Sequence, residues 1–198
     1  MKNCKKKKWK CGLYLGNEIY LSDNIVSLIK EGKASTINDT DYVLFEMPLN
    51  IEPMNLYSVI YEMLQYKLIP VLAHPERYTF MQQEPELISE LVEKGVLLQC
   101  NYGSIIGYYG KKAEIIVRKL LENDMVHFLG SDVHRANTIY RRMPEILRKL
   151  RGMIGVAKLK ELTTTNPKLA LQNKRIEIEE PNKIELTLKE KIVMKLTK

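Results

Sequence analysis

The sequence predicts an α/β fold in which parallel strands alternate with helices packed across them. Three observations carry this expectation. Short apolar, β-rich runs alternate with longer amphipathic ones. The longer runs place apolar residues three and four positions apart, as a helix facing a core requires. A polar residue closes each strand candidate in turn, at Glu18, Glu46, His74, Asn101 and Asp132, spaced 28, 28, 27 and 31 positions apart. One strand–helix unit thus delivers one polar group to a common sheet edge, the edge where active-site groups converge in barrels and open parallel sheets.

In order, the strand candidates are residues 13–20, 42–47, 69–73, 96–100 and 126–130, and the helix candidates are 24–31, 54–66, 85–93, 111–122 and 139–151. Leu56, Val59, Ile60, Met63 and Leu64 form one apolar stripe, and Leu87, Ile88, Leu91 and Val92 another, with Gly95 as a stop signal. Pro144 either distorts the last helix or marks its first turn. Residues 163–167 read as a cap-like turn before a short helix ending near Leu171. Beyond it, partial alternation around Pro181 suggests a hairpin or a loosely ordered tail. The expected organisation is a basic tail over residues 1–12, a compact domain over 13–174 and a charged appendage over 175–198.

The net charge of +7 is concentrated at the start: Lys2, Lys5, Lys6, Lys7, Lys8 and Lys10 account for all but one unit. The remainder carries no recognition motif, which argues against specific nucleic-acid binding. The tail reads as a solvated end or as a nonspecific contact for anionic lipid or nucleic acid. No apolar run approaches the roughly 18 residues of a membrane span, and the first residues lack a secretory segment, so a cytoplasmic location is expected. Cys4, Cys11 and Cys100 are too few and too scattered for a disulfide framework or a zinc site. Cys100 reads as a buried small hydrophobe and lacks the arginine spacing of a cysteine-based phosphatase.

The strongest chemical signal is Gly130-Ser131-Asp132-Val133-His134, where a strand ends by presenting a carboxylate and an imidazole two residues apart. In extended geometry both point the same way and suit a metal such as manganese, iron or zinc; the alternative is a helix cap and a surface histidine. His74 ends an apolar strand just before Pro75. Arg77 follows, either as a donor fork for phosphoryl oxygens or as an ion-pair partner of Glu46 or Glu76. Glu18 and Glu46 are carboxylates in apolar surroundings, where a metal is a natural partner. Asn101 and Ser104 offer donors to a substrate. Tyr102, Tyr108 and Tyr109 either flank an aromatic substrate or pack on the surface. His127 lies early in its strand, as a core histidine or one that braces a ligand.

Five segments, Gly16-Asn17-Glu18-Ile19-Tyr20, Leu44-Phe45-Glu46-Met47-Pro48, Ala73-His74-Pro75-Glu76-Arg77-Tyr78, Gln99-Cys100-Asn101-Tyr102-Gly103-Ser104 and the Asp132 motif, resemble in order the bacterial manganese-dependent protein-tyrosine phosphatases of the polymerase-and-histidinol-phosphatase (PHP) superfamily, of the capsular or exopolysaccharide type. The resemblance implies an α/β fold, a distorted TIM-like β/α barrel of the PHP type, with metals at the C-terminal ends of its strands. It implies Glu18, Glu46, His74, Asp132 and His134 as metal ligands, with Arg77, Asp132 and His134 catalytic and Arg77, Asn101 and Ser104 at the substrate. Hydrolysis of protein phosphotyrosine by metal-activated hydroxide follows, with Mn2+ as cofactor and the tail of a polysaccharide-export tyrosine kinase as partner.

One departure qualifies the resemblance. Members open with a His-x-His strand, whereas this sequence has only His74, His127 and His134. The expectation is a barrel missing its first strand–helix units, without a full three-metal cluster, slower as a hydrolase and with an open edge inviting self-association. The alternatives are another PHP-type phosphoesterase, such as a histidinol phosphatase or one acting on nucleic-acid ends, and a catalytically silent phosphopeptide-binding fragment.

Overall fold

In the computed structural model, residues 12–135, 139–178 and 180–196 are described, so Cys4, Cys11 and the basic tail up to residue 11 lie outside the described residues. The strand candidates form one parallel sheet in chain order: β1 (Glu18–Tyr20), β2 (Tyr42–Glu46), β3 (Ile69–Ala73), β4 (Leu97–Asn101) and β5 (Phe128–Gly130). Helices α1 (Ile25–Lys30), α2 (Leu56–Gln65), α3 (Thr79–Gln83), α4 (Glu86–Glu93) and α5 (Lys111–Glu122) lie in the connections. After β5 come α6 (Met143–Lys160), α7 (Asn166–Leu171) and α8 (Leu188–Leu196).

Strand alternation splits the sheet between two apolar clusters. Val43, Phe45, Leu72, Leu98, Cys100 and Leu129 join the larger core, which takes in the buried stripes of α1, α2, α4 and α5. Tyr42, Leu44, Ile69, Val71, Leu97 and Phe128 face the smaller cluster, completed by Ala170 of α7 and by Ile176. The Tyr42 hydroxyl donates to the Lys174 carbonyl at 2.6 Å, which fixes the chain after α7 under that face. Glu46 continues the Tyr42–Leu44 row and therefore emerges from this face at the end of β2.

Three expectations need correction. Only Glu18–Tyr20 of the run 13–20 pairs as a strand; Leu13, Tyr14 and Leu15 are exposed, with no strand beside them among the described residues. The turn expected at 163–167 is helical: a π-type turn, Glu161–Thr165, joins α6 to α7 because Leu162 is drawn wholly into the core and Asn166 donates to the His127 carbonyl at 3.0 Å. The hairpin-like end holds α8 instead. Its Glu190 is buried, accepts hydrogen bonds from Arg118 and Thr187, and so pins the helix to α5, while Ile184 enters the main core. Pro144 sits in the first turn of α6.

Candidate active site

Glu18 opens β1, two residues before the strand end where it was expected, Glu46 closes β2 and His74 follows β3, and the three side chains come together. His74 leaves β3 in the left-handed region (φ 39°), with Pro75 opening a single 3₁₀ turn, Pro75–Arg77. Such backbone is strained for a residue with a side chain and persists where its surroundings hold it. Here it turns the imidazole towards the carboxylates: Nε2 lies 3.2 Å from Glu18 Oε1 and 3.5 Å from Glu46 Oε2. The candidate ligand atoms all lie within 4.8 Å of one another. The imidazole is buried, whereas the two carboxylates are about a third exposed and line the open side. One nitrogen and two carboxylate groups converging on one point suit a divalent cation.

Tyr78 braces this triad. Its wholly buried hydroxyl accepts from the Met47 N–H at 3.0 Å and donates to the Ala73 carbonyl at 3.1 Å, tying the ends of β2 and β3 together. Burial pushes its phenol far up; the Met47 N–H opposes this, and the charges of Glu46, Glu18 and Glu76 add to it.

A second cluster forms at the ends of β4 and β5. Asp132 also adopts a left-handed backbone (φ 46°). Its Oδ2 accepts from Arg77 Nη1 at 2.6 Å and from Asn101 Nδ2 at 3.0 Å. His134 is largely exposed, with Nδ1 3.4 Å from Asp132 Oδ1. Gly130 makes room for this arrangement. A Cβ there would lie 2.6 Å from the amide of Gln99, whose Nε2 donates to Asn101 Oδ1.

Of the predicted site residues, Glu18, Glu46 and His74 meet in one group, and Arg77, Asn101, Asp132 and His134 in another. Arg77 pairs with Asp132, not with Glu46 or Glu76. Asn101 spends its side chain on Asp132 and Gln99, so it holds the carboxylate and does not point donors at a substrate. Ser104 is a clearer correction: it is wholly buried and donates to Glu76 Oε1 at 2.6 Å, because Glu76 is itself buried and needs donors. The Asn101 N–H donates to the same oxygen at 2.9 Å. Burial pushes the Glu76 carboxyl up, while Ser104, the Asn101 N–H and the charge of His74 pull it down.

The part played by Glu76 was missed in the sequence, where it stood only as an ion-pair partner for Arg77. Its one signal is its place between His74 and Arg77. His127 is a core residue, accepting from the Leu98 N–H at Nδ1. Cys100 is buried, and burial raises its thiol well above the usual range, with the charge of Glu76 adding to the effect, so it offers no thiolate.

Over residues 1–172 the sequence matches the family described as Capsular polysaccharide synthesis, CpsB/CapC. The chain belongs to the CpsB/CapC family. It is 32% identical over 161 residues to the tyrosine-protein phosphatase YwqE of Bacillus subtilis (strain 168), covering 81% of this chain and 63% of YwqE. It is 33% identical over 177 residues to the putative tyrosine-protein phosphatase CapC of Staphylococcus aureus, covering 88% and 68%. A solved structure, described among crystal structures of YwqE from Bacillus subtilis and CpsB from Streptococcus pneumoniae as "unique metal-dependent tyrosine phosphatases", matches with a TM-score of 0.80 at 31% identity, over 86% of this chain and 69% of that one. This CpsB/CapC chain therefore spans somewhat under two thirds of the length of YwqE. The shared fold is α/β, with the parallel-sheet core of a PHP-type, TIM-like barrel. Among the described residues, no helix is long and apolar enough to cross a membrane.

Proposed function

We propose that this CpsB/CapC chain is a metal-dependent phosphomonoester hydrolase acting on protein phosphotyrosine. The convergence of Glu18, Glu46 and His74 carries the reading. These three would hold the cation, and Asp132 and His134 offer a further carboxylate and imidazole at the same sheet edge. Mn2+ is the cation proposed, since oxygen-rich sites with one imidazole favour harder ions. A bound divalent ion supplies a Lewis acid that activates water and offsets phosphoryl charge.

The chain's own groups do the positioning. Arg77 brings a permanent cation with several donors to the phosphoryl oxygens, and its bond to Asp132 fixes the plane of the guanidinium. Asn101 holds Asp132 from the other side. With its thiol raised by burial, Cys100 takes no part as nucleophile, which supports a route that needs no cysteine.

The relatives' names support a phosphotyrosine substrate. The proposed partner is the phosphotyrosine tail of a polysaccharide-export tyrosine kinase, met in the cytoplasm. Exposed Leu13, Tyr14 and Leu15 directly before edge strand β1 support self-association as a further expectation. Residues 13–174 are proposed as the phosphatase unit and 175–198 as an appendage, with α8 bracing α5. One observation favours a silent phosphopeptide-binding role instead: Asp132 Oδ2 is already taken by Arg77 and Asn101.

Phosphate release from a phosphotyrosine peptide, histidinol phosphate and a phosphorylated oligonucleotide, each with Mn2+, separates these readings. Turnover fastest on the peptide and lost in Asp132→Asn supports the proposal. Binding of the peptide without turnover supports the silent role, and preference for another substrate overturns the assignment to phosphotyrosine.

A further inference from the structure

Beside the Arg77–Asp132 pair lies a recess of about 250 Å³ whose wall includes Tyr108 and Tyr109 and whose rim includes Arg135 and His134. It is smaller than the roughly 300–1,000 Å³ that drug-sized ligands fill, so it suits a small group. The wall is built to a definite geometry. Tyr109 lies under Arg77, with the guanidinium carbon 4.4 Å from the ring centroid. Tyr108 stands edge-on to Tyr109, with centroids 5.0 Å apart and planes at 83°.

Gly103 permits this seating. A Cβ there would lie 2.8 Å from Tyr109 Cε2 and 3.3 Å from Tyr108 Cβ. Tyr109 spends one face on Arg77, whereas Tyr108 is 54% exposed and keeps ring surface free. A large aromatic side chain left open next to a cationic group offers stacking at one end of a ligand and charge at the other.

We infer that Tyr108 is a specificity-determining residue that receives the aryl ring of the ester, while Tyr109 positions Arg77 for the phosphoryl group, so the site selects aryl over alkyl phosphates. This rests on the phosphomonoesterase reading above. The ring of a phosphotyrosyl side chain sits directly beyond its ester oxygen, where a wall adjoining the phosphoryl-binding cation meets it. A phosphoseryl group has no ring to place there.

The test is the binding of two non-hydrolysable anions, phenylphosphonate and methylphosphonate, measured by titration calorimetry in Mn2+ for the unmodified chain, Tyr108→Ala and Tyr108→Phe. The expected result is a preference for phenylphosphonate that falls about three- to tenfold in Tyr108→Ala, as loss of an aromatic contact implies, and returns in Tyr108→Phe. Tyr108 is exposed, so the variants keep the core intact. Equal affinity for the two anions in the unmodified chain, or a ratio unchanged in Tyr108→Ala, overturns the aryl wall and leaves the phosphomonoesterase reading standing. Failure of both anions to bind overturns that reading, and the aryl wall with it.

Discussion

Ser104 Oγ donates a 2.6 Å hydrogen bond to Glu76 Oε1, and both side chains are wholly buried. The pair links the turn after β3 to the turn after β4, and the Asn101 N–H shares the same acceptor. It therefore holds His74 and Asn101, members of the two clusters, in one frame. Ser104→Ala removes a donor from a buried carboxyl, which costs about 1–3 kcal/mol. The urea midpoint of unfolding is expected to fall accordingly. An unchanged midpoint would show that the carboxyl finds another donor.

Metal binding should register in stability without any catalysis. A cation that binds the folded chain alone raises the unfolding free energy by about 2.7 kcal/mol at a concentration about 100 times its Kd. Thermal unfolding with and without Mn2+ is expected to show this rise for the unmodified chain and none for Glu46→Gln. Equal rises in both would remove Glu46 from the ligand set.

Arg77 serves Asp132 with one nitrogen and Tyr109 with its face. Lysine keeps the charge but neither the fork nor the flat face, so Arg77→Lys should recover little of what Arg77→Ala loses. A loss of about 100-fold in kcat/KM on an aryl phosphate is expected for Arg77→Ala, the scale for removing a preorganised donor. Steady-state kinetics decide this; a lysine variant as fast as the unmodified chain would contradict it.

His127 makes stability depend on pH. Burial pushes its pKa down from 6.5 to about 4, and the charge of Lys158 acts in the same sense. The unfolded chain therefore takes up a proton at a higher pH than the folded chain does. The stabilisation is complete above about pH 6.5 and is lost as pH falls towards about 4, amounting to about 3 kcal/mol. Unfolding free energies across this range should fall more steeply for the unmodified chain than for His127→Gln. Comparing slopes cancels the opposite contribution of Glu76, whose raised carboxyl pKa favours the folded state at low pH. Parallel curves would show that His127 does not titrate as its burial implies.

The sheet was legible because its signals are periodic and local. Tyr42, Leu44 and Glu46 share a face by alternation alone, and the spacing from Glu18 to His74 follows from strand–helix units of nearly constant length. Glu46 and His74 could be read the same way, since each stands at the C-terminal end of a strand, whereas Glu18 opens β1. What escaped depends on where turns place a side chain. Ser104 reads in the sequence as a donor to a substrate, yet the turn after β4 drives it inward onto Glu76. Helix α8 was misread because Ile184, Leu186 and Leu188 alternate as a strand would, while Leu188, Ile192 and Leu196 repeat at helical spacing. Glu190, docked against Arg118, and Met194, packed on the core one turn later, lie on the opposite face from that exposed row.

Metal-dependent hydrolysis of phosphotyrosine is measured by following phosphate release from a phosphotyrosine peptide as Mn2+ is titrated, for the unmodified chain and for His74→Ala. A saturable rise in rate with Mn2+ is expected for the unmodified chain and a flat, near-background line for His74→Ala. A rate indifferent to Mn2+, or the same rise in both proteins, would contradict it.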